Sequence, residues 1–328
     1  MEPLNAPLRI GLVGVASEQA PRLSRLLDIP HEFIAPAEHC QPVDAVISLR
    51  FGRAEAERYS TGFVHLPGAG ADGIEFDVLA PGCRVCNVFE HEEPVAEFVL
   101  VAILDHAIGY GELSRAFSAE RWSETYFSRR THGEISGKTL GLIGYGHIGK
   151  SVTRRAKAFG MRVCAVSSSG RAPEADWAGD PSQLIEMLQM SDFVVVACPL
   201  TAATRGMIGA AELRAMKSTA VLVNIGRAQI VDEEALYRAL ERGELAGATL
   251  DVWYDYPAAG DIAARPSRFR FDQLPNVRCT PHSSAWTEEL FERRYAVIAD
   301  NLMRLRTGMP LRNLIHGPGM VSKSTHRD

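Results

Sequence analysis

Short runs of apolar residues alternate with amphipathic stretches along most of the chain. A short apolar run bounded by turn residues is typical of a buried strand, whereas apolar residues spaced one helical turn apart are typical of one face of a helix. Strands that alternate with helices are the pattern of a parallel sheet covered by helices. The alternation therefore predicts an α/β protein.

The first third of the chain contains strand-like runs separated by amphipathic stretches, which predicts a small open α/β sheet. These runs are Leu8–Val15, Ala45–Leu49, Phe63–Leu66 and Arg84–Asn87. A long helical pattern follows them and begins near Pro94, since proline fits the first turn of a helix, where its missing N–H costs nothing. We expect this helix to carry the chain into a second domain.

The next stretch has stronger strand signals, and its six apolar runs match one doubly wound sheet. The runs are Thr139–Ile143, Arg162–Val166, Phe193–Ala197, Ala220–Asn224, Gly247–Leu250 and Val277–Thr280. Asp232 is placed to cap a helix that ends at Gly243, and Thr287 is placed to open a final helix that reaches about Arg306.

Length and composition narrow the class of protein. The chain has 328 residues, of which 46% are apolar, and this is enough for two ordinary domains and excludes a single small module. No apolar run approaches the roughly 20 residues that cross a bilayer, and Met1–Asn5 lacks the charged-then-apolar order of a signal peptide. We therefore expect a cytoplasmic protein without a membrane partner.

Charge and cysteine content exclude further classes. Lys and Arg number 35 against 40 Asp and Glu, and no basic stretch is long enough to follow a phosphate backbone, so we expect no nucleic-acid partner. Six scattered cysteines suit a reducing compartment. Only Cys83 and Cys86 have the spacing of a metal or redox pair, and because zinc needs a second pair, we expect no metal.

A glycine-rich turn lies between a predicted strand and a predicted helix. The strand Thr139–Ile143 is followed by Gly144-Tyr145-Gly146-His147-Ile148-Gly149, and a helical pattern continues to Phe159. In this context glycines allow a tight turn and a close approach of the backbone to a pyrophosphate, while the helix N-terminus offers N–H groups to the anion. The turn predicts a dinucleotide site whose contacts are Gly144, Gly146, His147, Ile148 and Gly149.

The next strand ends without the acidic residue that usually binds the adenosine ribose, about 20 residues after the glycine turn. The sequence there is Val166-Ser167-Ser168-Ser169-Gly170-Arg171. A carboxylate would repel a 2′-phosphate, whereas the hydroxyl groups of Ser167 and Ser168 and the guanidinium of Arg171 can bind one. We therefore expect NADP(H) to be preferred over NAD(H). The alternative is that the serines form a solvated loop and the protein accepts both cofactors.

Polar residues follow three more predicted strands. They lie in Asn224–Arg227, Leu250–Pro257 and Thr280–Ser284, at the strand ends where open α/β sheets bind ligands. Together with the glycine turn, these stretches resemble the D-isomer-specific 2-hydroxyacid dehydrogenase family, and the resemblance covers nearly the whole chain. It is strongest in Gly137–Gly149, Pro199–Gly206, Val223–Leu236, Leu250–Val252 and Leu274–His282.

The resemblance implies a catalytic arginine at Arg227 and a catalytic histidine at His282, and the chemistry of both residues fits. A planar guanidinium can bridge the carboxylate and the ketone of a 2-oxo acid while it polarises the carbonyl that receives hydride. A histidine, with an ordinary pKa of about 6.5, can give the developing alkoxide its proton near neutrality.

Further site residues are implied by the same resemblance. An aspartate that matches Asp251 holds the nicotinamide carboxamide in family members. The residues that would line the cofactor cleft are Cys198, Pro199, Ile225 and Gly226. The candidates on the substrate side are Gly68, Ala69 and Gly70, whose backbone amides match a carboxylate-binding loop, with Arg50 and His91 on neighbouring loops. The alternative for each of these is a solvated loop residue without a ligand.

One position departs from the family pattern. Most members have a glutamate paired with the catalytic histidine, five residues after the aspartate, but counting from Asp251 leads to Tyr256. A carboxylate raises the pKa of a neighbouring histidine, whereas a phenol stays neutral and only hydrogen-bonds. We therefore predict that His282 has a lower pKa than in relatives with the glutamate. The rival interpretation is that a one-residue bulge brings Asp255 to His282 instead.

The stretch Pro257–Gln273 is several residues longer than in the family and contains Arg265, Arg268 and Arg270. We expect a solvated surface loop, with a lid or a dimer contact as the alternative.

The sequence as a whole predicts a Rossmann dinucleotide-binding domain at residues 102–286, inserted into a smaller flavodoxin-like α/β substrate domain built from residues 1–101 and 287–328. The implied activity is hydride transfer between NADPH, or else NADH, and a small 2-oxo or D-2-hydroxy acid, carried out by a homodimer. The alternatives are a phosphite- or formate-type dehydrogenase of the same family and a dinucleotide-sensing protein without enzymatic activity.

Overall fold

A computed structural model gives the positions of residues 6–257 and 261–318. Within these ranges the chain divides into two compact units. The first combines the described residues of Met1–Glu90 and Thr287–Asp328, and the second is His91–Trp286. The second unit is thus inserted into the chain of the first.

In the N-terminal part of the first unit, short strands alternate with short helices. The strands are β1 Leu8–Leu12, β2 His31–Ile34, β3 Gln41–Pro42, β4 Ala45–Ile47, β5 Tyr59–Ser60, β6 Phe63–His65 and β7 Arg84–Cys86. The helices are α1 Val15–Glu18, α2 Ala20–Leu26 and α3 Arg53–Ala56, with a 3₁₀ turn at Phe76–Val78. Every strand predicted in this part is present, and each ends earlier than predicted. The sequence pattern missed β2, β3 and β5, which are half-exposed or only two residues long.

The second unit begins with helices and continues as an alternation of strands and helices. Its helices are α4 Glu92–Ile108, α5 Tyr110–Ala116, α6 Trp122–Phe127, α7 His147–Ala158, α8 Leu184–Met190, α9 Ala210–Ala215 and α10 Glu233–Glu241. Its strands are β8 Thr139–Ile143, β9 Arg162–Val166, β10 Trp177–Gly179, β11 Phe193–Val196, β12 Val221–Asn224, β13 Gly247–Leu250 and β14 Val277–Cys279. Its 3₁₀ turns are Pro181–Gln183, Ala228–Ile230 and Phe271–Gln273.

The strands of the second unit form one parallel sheet in the order β10-β9-β8-β11-β12-β13-β14. The prediction of six strands was wrong by one, since the sheet has seven strands among the described residues. The extra strand, β10, lies at the sheet edge and buries only Gly179, so no apolar run marks it in the sequence. The order reverses between β8 and β11, and this switch point is where doubly wound sheets bind ligands.

Helices cover both faces of this sheet. Successive residues of β11 point to opposite faces, so Val194 and Val196 pack with helices α8 to α10, while Phe193 and Val195 pack with α4 and α7. A strand that is apolar on both sides needs cover on both sides, as parallel sheets do. The predicted α/β fold with a Rossmann-type sheet is confirmed.

Asp232 and Pro94 lie at the starts of two helices of the second unit. The side chain of Asp232 accepts a hydrogen bond of 2.8 Å from the backbone N–H of Ala235, so Asp232 caps α10 as predicted. α4 begins two residues before Pro94, and its buried residues belong to the core. In the described ranges no single helix has the length and apolar composition to cross a membrane, although α4 and α5, bent by 56° between them, pass that test as a pair.

The chain returns to the first unit through α11 Glu288–Thr307 and β15 Leu314–His316. The hydroxyl of Thr287 accepts a hydrogen bond of 3.1 Å from the N–H of Leu290 and caps α11, as predicted. The first-unit sheet has the order β15-β7-β6-β4-β1-β2, with β15 antiparallel to β7 and the others parallel. Apart from this added edge strand, the order is that of flavodoxin-like sheets.

Candidate active site

The glycine turn follows β8 at the switch point of the sheet. Gly144 has a φ of 103°, and a Cβ atom there would lie 2.7 Å from the backbone nitrogen of Cys198, just beyond β11. A Cβ on Gly149 would lie 2.6 Å from the carbonyl oxygen of Gly144, whereas the equivalent space at Gly146 is open. Two glycines thus permit close packing, and the third leaves the start of α7 accessible, where no side chain caps the helix. This cradle fits a pyrophosphate group.

The side chains between the glycines have separate environments. His147 is exposed in the first turn of α7, and Ile148 packs half-buried against the core. The Tyr145 ring is buried, and its hydroxyl accepts a hydrogen bond of 3.2 Å from the N–H of Glu174. Tyr145 thereby ties the glycine turn to the loop that follows β9.

The loop after β9 contains the residues predicted to select NADP(H). The hydroxyl of Ser167 accepts a hydrogen bond of 3.0 Å from the N–H of Arg171 and donates one of 3.0 Å to its carbonyl oxygen. Ser167 therefore shapes the loop, whereas the side chains of Ser168 and Arg171 are exposed. The loop presents a hydroxyl and a guanidinium to solvent and has no carboxylate between residues 166 and 171.

The segments after β11 and β12 lie against each other. A Cβ on Gly226 would lie 3.1 Å from the carbonyl oxygen of Cys198, so Cys198, Pro199, Ile225 and Gly226 share one region at the carboxyl edge. Burial raises the pKa of the Cys198 thiol to about 11, which keeps it protonated at neutral pH. Cys198 is therefore a neutral side chain at this edge rather than a thiolate nucleophile.

Arg227 follows β12 in a turn that its neighbours hold. The side-chain amide of Asn224 donates to the carbonyl oxygen of Arg227 at 3.2 Å, and its oxygen accepts from the N–H of Gly226 at 3.2 Å. The guanidinium is half-buried and donates to the carbonyl oxygen of Gly226 at 2.9 Å. Arg227, Asp251 and His282 follow the adjacent parallel strands β12, β13 and β14, so all three lie at one edge of the sheet.

Asp251 organises the loop that contains His282. Its carboxylate is fully buried; one oxygen accepts from the hydroxyl of Thr280 at 2.7 Å and from the N–H of Ser283 at 2.8 Å, and the other accepts from the N–H of Ser284 at 3.0 Å. His282, between these anchors, has a φ of 58°, a left-handed conformation that costs about 1–3 kcal/mol and persists only where its surroundings impose it. The structure thus assigns Asp251 a loop-forming role that the sequence pattern did not reveal.

Tyr256 lies against the candidate catalytic histidine. Its hydroxyl is 2.8 Å from Nδ1 of His282, and the N–H of Trp253 donates to the same hydroxyl at 3.2 Å. Asp255, the rival candidate, is exposed, and in the part of the chain that the structure describes its carboxylate makes no hydrogen bond to His282. The contact with Tyr256 is made at Nδ1, and Nε2 is the other ring nitrogen of His282.

The candidates on the substrate side lie mainly in the first unit. Gly68, Ala69 and Gly70 lie in the loop after β6. Asn87, which follows β7, holds this loop, because its side-chain amide donates to the carbonyl oxygen of Ala69 at 2.8 Å. Arg50 is exposed after β4, and His91 belongs to the second unit, directly before α4. The sequence pattern placed Asn87 at the end of a predicted strand but gave no sign of its contact with Ala69.

The pair Cys83 and Cys86 lies in the core of the first unit. Both thiols are buried, and burial raises the pKa of Cys86 to about 12 and that of Cys83 above its ordinary value. Both thiols are therefore protonated at neutral pH and behave as apolar core groups. Among the described residues, no cluster of three His, Cys, Asp or Glu side chains is arranged to hold a metal ion.

A family model and a curated relative place the chain in the same family. The family model described as D-isomer specific 2-hydroxyacid dehydrogenase, NAD binding domain, matches residues 100–284. The chain is 33% identical over 287 residues to a glyoxylate reductase of Korarchaeum cryptofilum, covering 85% of this chain and 84% of that protein.

Solved structures agree in fold. A D-isomer specific 2-hydroxyacid dehydrogenase from Lactobacillus delbrueckii ssp. bulgaricus, in its NAD-complexed form, is 25% identical and superposes with a TM-score of 0.74 over 94% of this chain and 100% of that chain. An NADPH-dependent glyoxylate/hydroxypyruvate reductase from Sinorhizobium meliloti, in complex with NADP and sulfate, is 23% identical, with a TM-score of 0.74 over 94% of this chain and 98% of that chain.

Proposed function

Because the chain belongs to the D-isomer-specific 2-hydroxyacid dehydrogenase family and is an NAD(P)-dependent oxidoreductase of 2-hydroxy acids, we propose that it reduces a small 2-oxo acid such as glyoxylate or hydroxypyruvate to the D-2-hydroxy acid. The observation that carries this proposal is the pairing of Tyr256 with Nδ1 of His282 at 2.8 Å, at the same edge of the sheet as Arg227. A polarising guanidinium and an oriented acid are what ketone reduction needs.

Three side chains would share the chemistry. Arg227 binds the carboxylate and the carbonyl oxygen of the substrate, and its charge stabilises the developing alkoxide. His282 delivers a proton from Nε2 to that oxygen, while Tyr256 holds the ring through Nδ1. The nicotinamide, when bound, supplies the hydride. Asp251 keeps the loop of His282 in its left-handed conformation and so fixes the direction of Nε2.

We propose NADPH as the preferred cofactor, with NADH accepted less well. The exposed Ser168 and Arg171 support this, because a hydroxyl and a guanidinium bind a 2′-phosphate well. The loop also has no carboxylate between residues 166 and 171, and a carboxylate is the group that would bind the free ribose 2′-hydroxyl of NADH.

The two units would divide the work, with the first unit as the substrate domain and the second as the dinucleotide-binding domain. The roles of Gly68, Ala69, Gly70, Arg50 and His91 in binding the substrate stay predictions. We place the enzyme in the cytoplasm, since its six unpaired cysteines suit a reducing compartment.

The enzyme would act as a homodimer. Large apolar side chains on α5, α6 and the segment between them are exposed in the single chain, and we call this the aromatic patch; it consists of Tyr110, Leu113, Phe117, Trp122, Tyr126 and Phe127. Soluble monomers rarely expose an apolar surface of this kind, so a second copy of the chain is the proposed occupant.

The reaction is tested by the loss of absorbance at 340 nm with NADPH and, separately, NADH, across glyoxylate, hydroxypyruvate, pyruvate and bulkier 2-oxo acids. We expect turnover of the small acids and a higher kcat/KM with NADPH. Oxidation of formate or phosphite in preference to 2-oxo acid reduction would contradict the substrate class. Tight NADPH binding without turnover of any acid would instead identify a dinucleotide sensor.

Matched variants separate catalysis from folding. Arg227→Gln should lower kcat/KM by about a hundredfold through loss of charge-assisted contacts to the substrate, and His282→Asn should lower kcat roughly a hundredfold or more. Arg242→Gln and His132→Asn change exposed residues of the same unit and should leave both constants unchanged.

A further inference from the structure

Residues 267–271, which follow the exposed part of the long loop, pack against helix α10 of the same unit. Residues 261–266 are exposed, but Ser267 and Phe271 are buried, and Phe269 stacks on Tyr237 of α10 with ring centroids 4.8 Å apart. The expectation of a solvated surface loop is therefore wrong for Ser267, Phe269 and Phe271, although Arg268 and Arg270 between them are exposed. Residues 258–260 lie outside the described chain. This segment is therefore held against α10 by specific contacts.

Glu233 is the anchor of this segment. Its side chain is only 9% exposed, and one carboxylate oxygen accepts from the hydroxyl of Ser267 at 2.8 Å and from the N–H of Arg268 at 2.8 Å. The other oxygen accepts from Nε of Arg268 at 2.6 Å. Burial alone raises the pKa of Glu233, but the hydrogen bonds from Arg268 and Ser267 outweigh it and hold the pKa below its usual value. Glu233 is thus ionised at neutral pH, and its charge is met by these donors.

Pro266, the residue before Ser267, contacts the loop after β13 that contains Tyr256. Its carbonyl oxygen accepts hydrogen bonds of 3.1 Å from the N–H groups of both Tyr254 and Asp255. The hydroxyl of Tyr254 donates separately to the carbonyl oxygen of Val231 at 3.0 Å, which fixes Tyr254 from another direction. Asp255, the neighbour of Tyr256, is held by Pro266.

We propose that Glu233 is a positioning residue for the reaction: it fastens Ser267 and Arg268 to α10, and through the carbonyl of Pro266 the fastened segment holds Tyr256 against Nδ1 of His282. The order of contacts is Glu233 to Ser267 and Arg268, Pro266 to Asp255, and Tyr256 to His282. The proposal rests on the proposed function only in taking His282 as the proton donor. It gives the long loop a role that neither a lid nor a free surface loop would have.

Neighbouring glutamates provide a matched test. Glu233→Gln removes the anchoring charge, whereas Glu234→Gln removes an equal charge from an exposed position in the same first turn of α10. We expect Glu233→Gln to lower kcat about tenfold, in line with the loss of one charge-assisted hydrogen-bonded anchor, with little change in cofactor affinity. It should also shift the pH profile of kcat in the same direction as Tyr256→Phe. Glu234→Gln should behave as the wild type.

A double-mutant cycle tests whether Glu233 acts through Tyr256. In a Tyr256→Phe background, Glu233→Gln should have no further effect on the pH profile. Independent effects that multiply in the double variant, or a lowered melting temperature with an unchanged pH profile, would overturn the proposal. If Glu233→Gln does not fold, Ser267→Ala removes a single bond to the anchor and must show a smaller shift in the same direction, or the proposal fails.

The ring of His282 can be followed without turnover. In the holoenzyme with bound NADP and isotope-labelled histidine, the NMR titration of His282 should change in Glu233→Gln as it does in Tyr256→Phe and stay unchanged in Glu234→Gln. If no 2-oxo acid is reduced but these titrations move together, the proposed function fails and the positioning role stands. If acids are reduced and Glu233→Gln leaves both the titration and kcat unchanged, only the positioning role fails.

Discussion

The hydroxyl of Tyr256 lies 2.8 Å from Nδ1 of His282, at the position where the family resemblance implies a glutamate. A phenol can donate to Nδ1 or accept from it but brings no negative charge, so it orients the ring without stabilising the imidazolium electrostatically. The contact between Tyr256 and His282 therefore fixes the orientation of the ring without placing a negative charge beside it.

Tyr256→Glu should restore that electrostatic effect. A carboxylate beside His282 favours the charged ring and raises its pKa, so reduction, which needs the protonated histidine, should continue to higher pH. On the alkaline side of the profile we expect the variant to be about tenfold faster than the wild type. The measurement is kcat against pH with NADPH and glyoxylate, with Asp255→Glu as the control. Superimposable profiles for Tyr256→Glu and wild type would contradict this account.

Asp251→Asn should disorganise the loop of His282. An amide places an NH₂ group where the carboxylate now accepts a backbone N–H, so a buried donor faces a donor. We expect stability to fall by about 1–3 kcal/mol, and kcat to fall about a hundredfold because the histidine loses its fixed direction. Urea unfolding and steady-state kinetics measure the two effects. The exposed Asp255→Asn is the control, and if it lowers kcat more than Asp251→Asn does, the bulge interpretation from the sequence returns.

Arg171→Ala should lower the preference for NADPH. If the exposed guanidinium binds the 2′-phosphate, its loss costs about 1.5–3 kcal/mol of NADPH binding and leaves NADH nearly unaffected. The KM for NADPH should therefore rise at least about tenfold. Arg162→Ala, at the start of β9, changes an exposed arginine at the opposite end of the same strand and should not alter either KM. Equal changes in the KM values for NADPH and NADH would show that Arg171 does not bind the 2′-phosphate.

The sequence predicted the parts of the site that local patterns encode. The glycine turn follows from a strand, three glycines and a helix, and the position of Tyr256 follows from counting along the chain from Asp251. The hydrogen bonds of Asp251 to Ser283 and of Glu233 to Ser267 join residues 32 and 34 positions apart, and no periodicity marks them. The edge strands β10 and β15 were not predicted for a related reason. Edge strands bury few apolar side chains and therefore leave a weak hydrophobic pattern in the sequence.

His65 should make the stability of the protein depend on pH between about 6.5 and 4. It is fully buried, donates from Nδ1 to the carbonyl oxygen of Leu66 and accepts at Nε2 from the amide of Asn301, and burial lowers its pKa to about 4. Because the folded pKa lies below the unfolded one, the stabilisation is complete above about pH 6.5 and is lost as the pH falls towards 4. The full loss is about 3 kcal/mol.

Denaturant unfolding at a series of pH values checks this dependence. His65→Gln removes the titrating ring, so its stability should be lower at neutral pH but should change less between pH 6.5 and 4 than that of the wild type. His39→Gln, at an exposed position of the same unit, should keep the wild-type slope. Equal slopes for His65→Gln and wild type would place the pH dependence on other groups.

The aromatic patch should hold two copies of the chain together. Trp122 is 53% exposed and Phe127 is 83% exposed in the single chain, and covering such rings in a symmetric interface removes apolar surface from water. Glutamates at both positions would place two charges per subunit in a desolvated contact, which is costly, so the double variant Trp122→Glu/Phe127→Glu should elute as a monomer. Light scattering coupled to size exclusion reads the mass directly. Phe159→Glu, at an exposed phenylalanine that follows α7 and is not part of the aromatic patch, should leave the dimer intact. A wild-type protein that is monomeric at every concentration would remove the second copy as the occupant of the patch.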